Sequence, residues 1–268
     1  MAETAIEWTE RTWNPTTGCD KISPGCDNCY ALKLAKRLKG MGSAKYQTDG
    51  DPVTSGPGFG FATHPGSINE PRAWPASIIF VNSMSDLFHE ASPVDFIGGV
   101  WDTMAATPQH TYQILTKRPA RARTILNRWA RNDWTFRRHD TLWCGPLAGP
   151  LRNVWMGASI ESDDHTVRAH HLRNTPAAVR FISAEPLLGP LPSLDLTGID
   201  WLIAGGESGP GARPVDPGWV RDLRDRCVEA GTAFFFKQWG GRTPKAGGRE
   251  LDGRTWDEYP TSARAVAA

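Results

Sequence analysis

Seven short apolar runs, most of them rich in β-branched or aromatic residues, recur along the chain with amphipathic segments between them. They are AIEWT (5–9), SIIFVN (77–82), TYQILT (111–116), NVWMGAS (153–159), VRFISAE (179–185), DWLIAGG (200–206) and TAFFFKQ (232–238). Their near-continuous apolar character, in place of strict alternation, is that of strands buried on both faces of a parallel sheet. The segments between them read as helices. DNCYALKLAKRLKG places Tyr30, Leu34 and Leu38 four apart and stops at Gly40, a candidate C-terminal cap. SPVDFIGGVWDTMAAT offers Ser92 as an N-cap and Pro93 at the first helical position. RPARARTILNRWAR, SDDHTVRAHHLRNT and VDPGWVRDLRDRCVEAG complete the alternation, the last ending at Gly231. Strand and helix taking turns predicts an α/β fold with helices packed outside a parallel sheet. The number of βα units favours a partial or complete (β/α) barrel of six to seven parallel strands, with an open doubly wound sheet as the alternative.

Two stretches break this rhythm. Residues 40–76 form a Gly/Pro-rich insertion, and a loop that long is either functional or disordered. The tail from Gly240 is polar and Gly-rich, so the expected organisation is a barrel domain over 1–239 and a C-terminal extension over 240–268. With 40% hydrophobic and 22% charged residues the chain has the composition of a globular protein and not of a disordered one. A formal net charge of +1 excludes a global field that would draw it onto nucleic acid or an anionic membrane, so any such contact must come from a local patch. The opening MAETAIEWTERTW lacks the basic start and apolar run of a secretory signal. No apolar stretch approaches the ~20 residues that span a bilayer, so no membrane partner is expected.

Three of the five cysteines fall within the loop 18–30, between the first strand and the first helix. A disulfide framework uses an even, dispersed set, so this pattern predicts a reducing, cytoplasmic setting with thiols available to metal. Cys19, Cys26 and Cys29 stand in a C-x6-C-x2-C spacing, and thiolates suit zinc or iron–sulfur clusters. Structural zinc takes four protein ligands, for which His89, Cys144 or Cys227 would supply the fourth. A 4Fe–4S cluster on three cysteines leaves one iron open to an outside ligand, since such clusters ordinarily take four. Both readings stand at this level, with unligated thiols as a third.

In a (β/α) barrel the groups that do chemistry lie where strands end and loops begin. These ends are polar here: NSMSDLFHE, TKRP, SIESDDH, SAEPLLGP, GGESGPGARP and KQWGG. The candidate binding residues are therefore Ser83, Ser85, Asp86, Lys117, Ser159, Glu161, Glu185 and Glu207.

A three-cysteine loop after the first strand of such a barrel, with an aromatic directly after the last cysteine (CDNCY), resembles the radical S-adenosylmethionine enzymes. Their usual spacing is C-x3-C-x2-C, so this chain carries three extra residues in the first interval. Their Gly-Gly-Glu-like turn follows the second strand, whereas Gly205, Gly206 and Glu207 follow the sixth run here. More closely, IEWTERTWNPTTGC, CDNCYA, NSMSDLFH, LTKRP, GASIES, SAEPLLGPL, GGESGPGARP, FFFKQWGG and GRELDGRTWDEYP together resemble a phage- and prophage-associated family of three-cysteine proteins of unknown function. The resemblance to the radical enzymes implies a 4Fe–4S cluster on Cys19, Cys26 and Cys29, S-adenosylmethionine at its open iron, and an electron donor. Under that resemblance Asn82, Ser83, Ser85 and Asp86 would accept from the ammonium, Ser159 and Glu161 would bond the ribose, and Lys117 with Arg118 would pair with a carboxylate or phosphate.

Residues 117–138 carry Lys117, Arg118, Arg121, Arg123, Arg128, Arg131, Arg137 and Arg138 against one acid, Asp133, with Trp129, Trp134 and Phe136 interleaved. Basic groups bind phosphates and aromatics stack on bases, which makes this stretch a candidate nucleic-acid contact. The leading expectation is an iron–sulfur enzyme that cleaves S-adenosylmethionine reductively and acts on a nucleic-acid-related substrate. The alternative is a non-catalytic metal-bound module (iron–sulfur or zinc) that binds nucleic acid or a partner protein in phage or host DNA metabolism.

Overall fold

The computed structural model describes residues 3–131, 150–243 and 245–261. Seven strands form the main sheet: β1 (Arg11–Trp13), β2 (Ile78–Val81), β3 (Thr111–Thr116), β4 (Val154–Ser159), β5 (Val179–Ala184), β6 (Trp201–Gly205) and β7 (Ala233–Gln238). Five helices alternate with them: α1 (Tyr30–Gly40), α2 (Val94–Ala106), α3 (Pro119–Ala130), α4 (Val167–Arg173) and α5 (Pro217–Ala230). In the sheet each strand lies beside its neighbours in sequence, from β1 to β7. This sequential winding is that of a (β/α) barrel, and it lacks the reversal of strand order that marks a doubly wound sheet.

The chain divides into two compact units. The first comprises Met1–Ile22, Cys29–Trp155 and Thr175–Ala178. In it β2 pairs in parallel with β1 and with β3. Tyr112 N donates to Asn153 O at 2.7 Å, which ties the start of β4 to β3. Trp13, Ile79, Leu87, Phe88, Ile97, Met104 and Tyr112 are sealed in its core. The second unit comprises Ser23–Asn28, Met156–Asn174 and Val179–Ala268. There β6 pairs in parallel with β5 and β7, and Ile160 N donates to Ser183 O at 2.9 Å. All residues of β4 and β6 are buried, as their unbroken apolar runs require.

The first strand lies later than the apolar run 5–9. Residues 7–8 form a turn, Thr9 N donates to Ile6 O, and the paired strand is Arg11–Trp13. β1 is a short edge strand with one sheet partner, so its outer side chains need not be apolar and Arg11 and Thr12 are only half-buried. The face of α1 is also displaced. Tyr30 and Leu34 are exposed, while Ala31 and Ala35 are buried against Tyr46, Phe59 and Met84. Small side chains let the helix approach those rings closely, a contact that a large-apolar periodicity does not reveal. At α2 the N-cap is Pro93 and not Ser92, whereas α5 is capped by Asp216, which accepts from Gly218 N, and ends at a left-handed Gly231.

The insertion 40–76 is built into the first unit. Its short turns bury Tyr46, Phe59 and Ser67, and Ala62–Thr63 pair antiparallel with Thr16–Thr17. Gly18 has φ +82° and a Cβ there would lie 2.1 Å from Gly60 O, so the cysteine loop and the insertion meet backbone to backbone. The tail is likewise part of the fold. Phe236 N donates to Trp256 O at 2.9 Å and Glu258 N to Phe234 O at 3.2 Å, so residues 256–258 run along the edge of β7 that β6 does not cover. Tyr259 stacks on Trp201 with centroids 5.1 Å apart, and Trp201 Nε1 donates to Glu258 O. Among the described residues no helix is long and apolar enough to cross a membrane.

Gly18→Ala is expected to lower stability by at least ~2 kcal/mol, because both the left-handed backbone and the close approach of Gly60 are denied to alanine. Urea denaturation measures it, and an unchanged midpoint would show that this backbone contact is dispensable.

Candidate functional site

In the first unit the ends of β1, β2 and β3 meet around Cys19. Gly18 N donates to Met84 O and Asn82 N to Trp13 O, which lays the cysteine loop alongside the segment that follows β2. Asp86 is buried there. Its carboxylate accepts from Phe88 N at 2.9 Å, from Thr116 Oγ1 at 2.7 and 2.9 Å, from Lys117 N at 3.0 Å and from Arg118 NH1 at 3.3 Å. Arg118 NH1 also donates to Cys19 Sγ at 3.4 Å. Burial opposes the charge on Arg118, but the Asp86 carboxylate and then Cys19 outweigh it and hold the guanidinium above its ordinary pKa. A guanidinium beside a sulfur favours the thiolate, which is the form that binds metal.

The other face of this loop is held by Asp20. Its carboxylate accepts from Thr54 Oγ1 at 2.7 Å and Ser55 Oγ at 2.6 Å, and His89 Nε2 lies 2.9 Å away. Burial raises the Asp20 pKa, but the bonds from Ser55, Thr54 and His89 prevail and lower it below the ordinary carboxylate value. His89 is buried and stacked on Phe61 with centroids 4.6 Å apart. The imidazole named as a fourth zinc ligand is thus engaged with Asp20. Cys227, the second candidate, is sealed inside α5, and burial pushes its thiol up to about 12. Cys144, the third, lies outside the described residues.

Ser83 and Ser85 tie this corner together. Ser83 Oγ bonds the Asn14 side chain at 3.2 to 3.3 Å, Ser85 Oγ donates to Thr16 O at 3.2 Å, and Tyr30 OH donates to Ser83 O. Lys117 is half-buried and spends its backbone N–H on Asp86.

Each strand-end glutamate of the second unit meets a cation. Glu161, fully buried, lies 2.9 Å from Arg168 NH1, which also donates to Ser159 O at 2.8 Å. Glu185 lies 2.6 Å from Lys237 Nζ. Glu207 lies 2.6 Å from Arg213 NH2 and accepts from Asn28 Nδ2 at 2.9 Å. Sequence reasoning marked the carboxylates and missed Arg168, Lys237 and Arg213, as well as the Asp20–His89 pair. Arg213 and Lys237 stand inside the quoted motifs GGESGPGARP and FFFKQWGG, so charge matching between motifs was the signal available.

All three loop cysteines are half-buried and outside any disulfide. Cys19 and Cys29 pack against the cluster of Ala31, Ala35, Tyr46, Phe59 and Met84, and Cys29 is the N-cap residue of α1. Cys26 ends a 3-10 turn over Pro24–Cys26, with its Sγ 3.7 Å from Ser23 Oγ. Among the described residues no three Cys, His, Asp or Glu side chains are gathered as a single metal ion requires. A cluster engages each thiolate through a different iron, so its ligands stand farther apart than those of one ion. The donor set fits a cluster in kind: soft, accessible sulfurs, one of them beside a guanidinium.

The basic stretch is partly turned inward. Arg118 serves Asp86 and Cys19, and Arg121 donates to His89 O and to Ser92 O. Trp129 meets Trp101 edge-on at 5.8 Å between centroids. Residues 132–138, with Trp134, Phe136, Arg137 and Arg138, lie outside the described residues.

These features define a sequentially wound α/β protein with a thiol-rich first βα loop. The chain belongs to the DUF5131 family, described as protein of unknown function, whose match spans residues 3–260. No curated protein matches it. Among solved structures it is similar to a spore photoproduct lyase complexed with dinucleoside spore photoproduct, at 11% identity and a TM-score of 0.39. That likeness covers 77% of this chain and 58% of the lyase, so this chain spans less than two thirds of the lyase's length.

Because the Asp20 pKa is lowered on folding, its contribution is complete above the ordinary value of 3.8 and is lost as pH falls through the folded value below it. Asp20→Asn is therefore expected to flatten the loss of stability below pH 3.8 relative to the wild type. Urea midpoints measured down the acid limb check this, and parallel curves would refute it.

Proposed function

We propose that this chain is an iron–sulfur protein of the radical S-adenosylmethionine type, with Cys19, Cys26 and Cys29 as the ligands of a 4Fe–4S cluster. The observation that carries this reading is the Asp86–Arg118–Cys19 chain, which brings a fixed positive charge to one sulfur of a three-thiol loop. When bound, such a cluster supplies one electron for reductive cleavage of the sulfonium of S-adenosylmethionine. The residues of the chain do the rest. Arg118 sets a positive charge against the Cys19 sulfur, and Asp86 acts through Arg118 as a positioning residue. Cys29 stands where the positive end of α1 favours a thiolate. Lys117 lies beside Arg118 and adds positive charge at the end of β3, suited to the carboxylate of an incoming amino acid.

Anaerobic reconstitution with iron and sulfide tests the proposal. The wild type is expected to retain about four irons per chain, and alanine at Cys19, Cys26 or Cys29 to abolish that retention while Cys227→Ala preserves it. Arg118→Ala is expected to reduce retention without abolishing it. Addition of S-adenosylmethionine and dithionite should yield 5′-deoxyadenosine. Stoichiometric zinc in place of iron, or iron retained after all three loop cysteines are replaced, would overturn the reading.

A further inference from the structure

The Gly-Gly-Glu turn after β6 reaches the cysteine loop. Glu207 is buried, and besides Asn28 its carboxylate accepts from Arg213 N at 2.9 Å, Nε at 3.0 Å and NH2 at 2.6 Å. The same guanidinium donates to Pro24 O at 2.9 Å and has NH1 3.6 Å from Asp27. Asn28 Nδ2 also donates to Gly211 O at 3.2 Å. Contacts to Pro24, Asp27 and Asn28 thus bracket Cys26 on both sides.

We infer that this turn is a clamp for the cysteine loop, and that Glu207 and Arg213 are positioning residues for the Cys26 sulfur; the inference rests on reading the three cysteines as cluster ligands. Three features support it. First, the loop needs outside help. Cys26 lies in a single 3-10 turn, closed by Cys26 N to Ser23 O at 2.9 Å and Asp27 N to Pro24 O at 3.2 Å, and one such turn does not hold itself. Its interval to Cys19 is six residues, and a longer loop costs more chain entropy to fix. Second, the clamp is itself anchored. A Cβ on Gly206 would lie 2.0 Å from Trp239 O, so the turn is pressed against the chain leaving β7. Gly241 N donates to Glu207 O and Gly209 N to Gly241 O, which fixes the turn at both ends. Third, the central carboxylate is shielded. An exposed ion pair contributes little, but a buried carboxylate that accepts four donors holds its partners in one geometry.

The motif therefore serves the cysteine loop. It fixes the middle thiol from outside the loop, at the end of β6.

Thiol alkylation of the full-length, iron-free protein tests this without any cluster. Iodoacetamide labelling with peptide mapping gives separate rates for Cys19, Cys26 and Cys227. Arg213→Ala and Asn28→Ala are each expected to raise the Cys26 rate about tenfold, with the Cys19 rate unchanged and Cys227 still unlabelled. Arg213→Lys keeps the charge but loses the planar fork, so an intermediate rate is expected. Should Arg213→Ala unfold the protein, seen as labelling of Cys227, Asn28→Ala decides, since it removes only two side-chain bonds. An unchanged Cys26 rate in Asn28→Ala overturns the clamp. Wild-type protein that takes up no iron would defeat the cluster reading and leave the labelling result standing on its own.

Discussion

A buried carboxylate tolerates no vacant position around it, and Asp86 shows how much structure that requirement organises. Taking the charge out of water is costly unless each oxygen is satisfied. Asp86 meets the demand with donors from its own turn, from the last residue of β3 and from the first two residues beyond it. The ends of β2 and β3 are thereby fixed to each other, and Arg118 is left with a direction as well as a charge. One consequence is that Arg118 reaches Cys19 as a held group and not as a freely rotating side chain. The contact between Gly18 and Gly60 secures the neighbouring backbone from the other side.

Much of the fold was legible because burial on both faces writes itself into composition. The runs at 77–82, 111–116, 153–159, 179–185, 200–206 and 232–238 each coincide with a strand, to within a residue or two. β1 was misplaced for the complementary reason. An edge strand with one partner carries Arg11 and Thr12 without penalty, whereas the more apolar residues before it bury Trp8 against Phe80 from a turn. On α1 Tyr30 and Leu34 are exposed while Ala31 and Ala35 face the core with Leu38 packed beside them, so the period was right and its phase was off by one residue over the first turns.

The site divides along similar lines. Cysteine spacing and polar strand ends are local properties, and they marked the loop and the glutamates. Partners are not local. Glu207 meets Asn28 across 179 positions, and Arg118 meets Cys19 across 99. Such pairs exist only once the winding order brings the strand ends together. Asp86 illustrates the gap: its residue type marked it as a candidate, and only the fold reveals that its carboxylate also supports Arg118.

The strip at 256–258 has a consequence for how the chain comes into being. It shields an edge rich in phenylalanine, Phe234 to Phe236, yet it follows that edge in the chain and is translated after it. Domains begin to fold while the chain is synthesised at about 5–20 residues per second, so β7 emerges before its cover. For that interval the nascent chain displays an uncapped, ring-bearing ladder that a second growing copy on the same message could pair with. The strip follows β7 closely in the chain, which keeps that interval short.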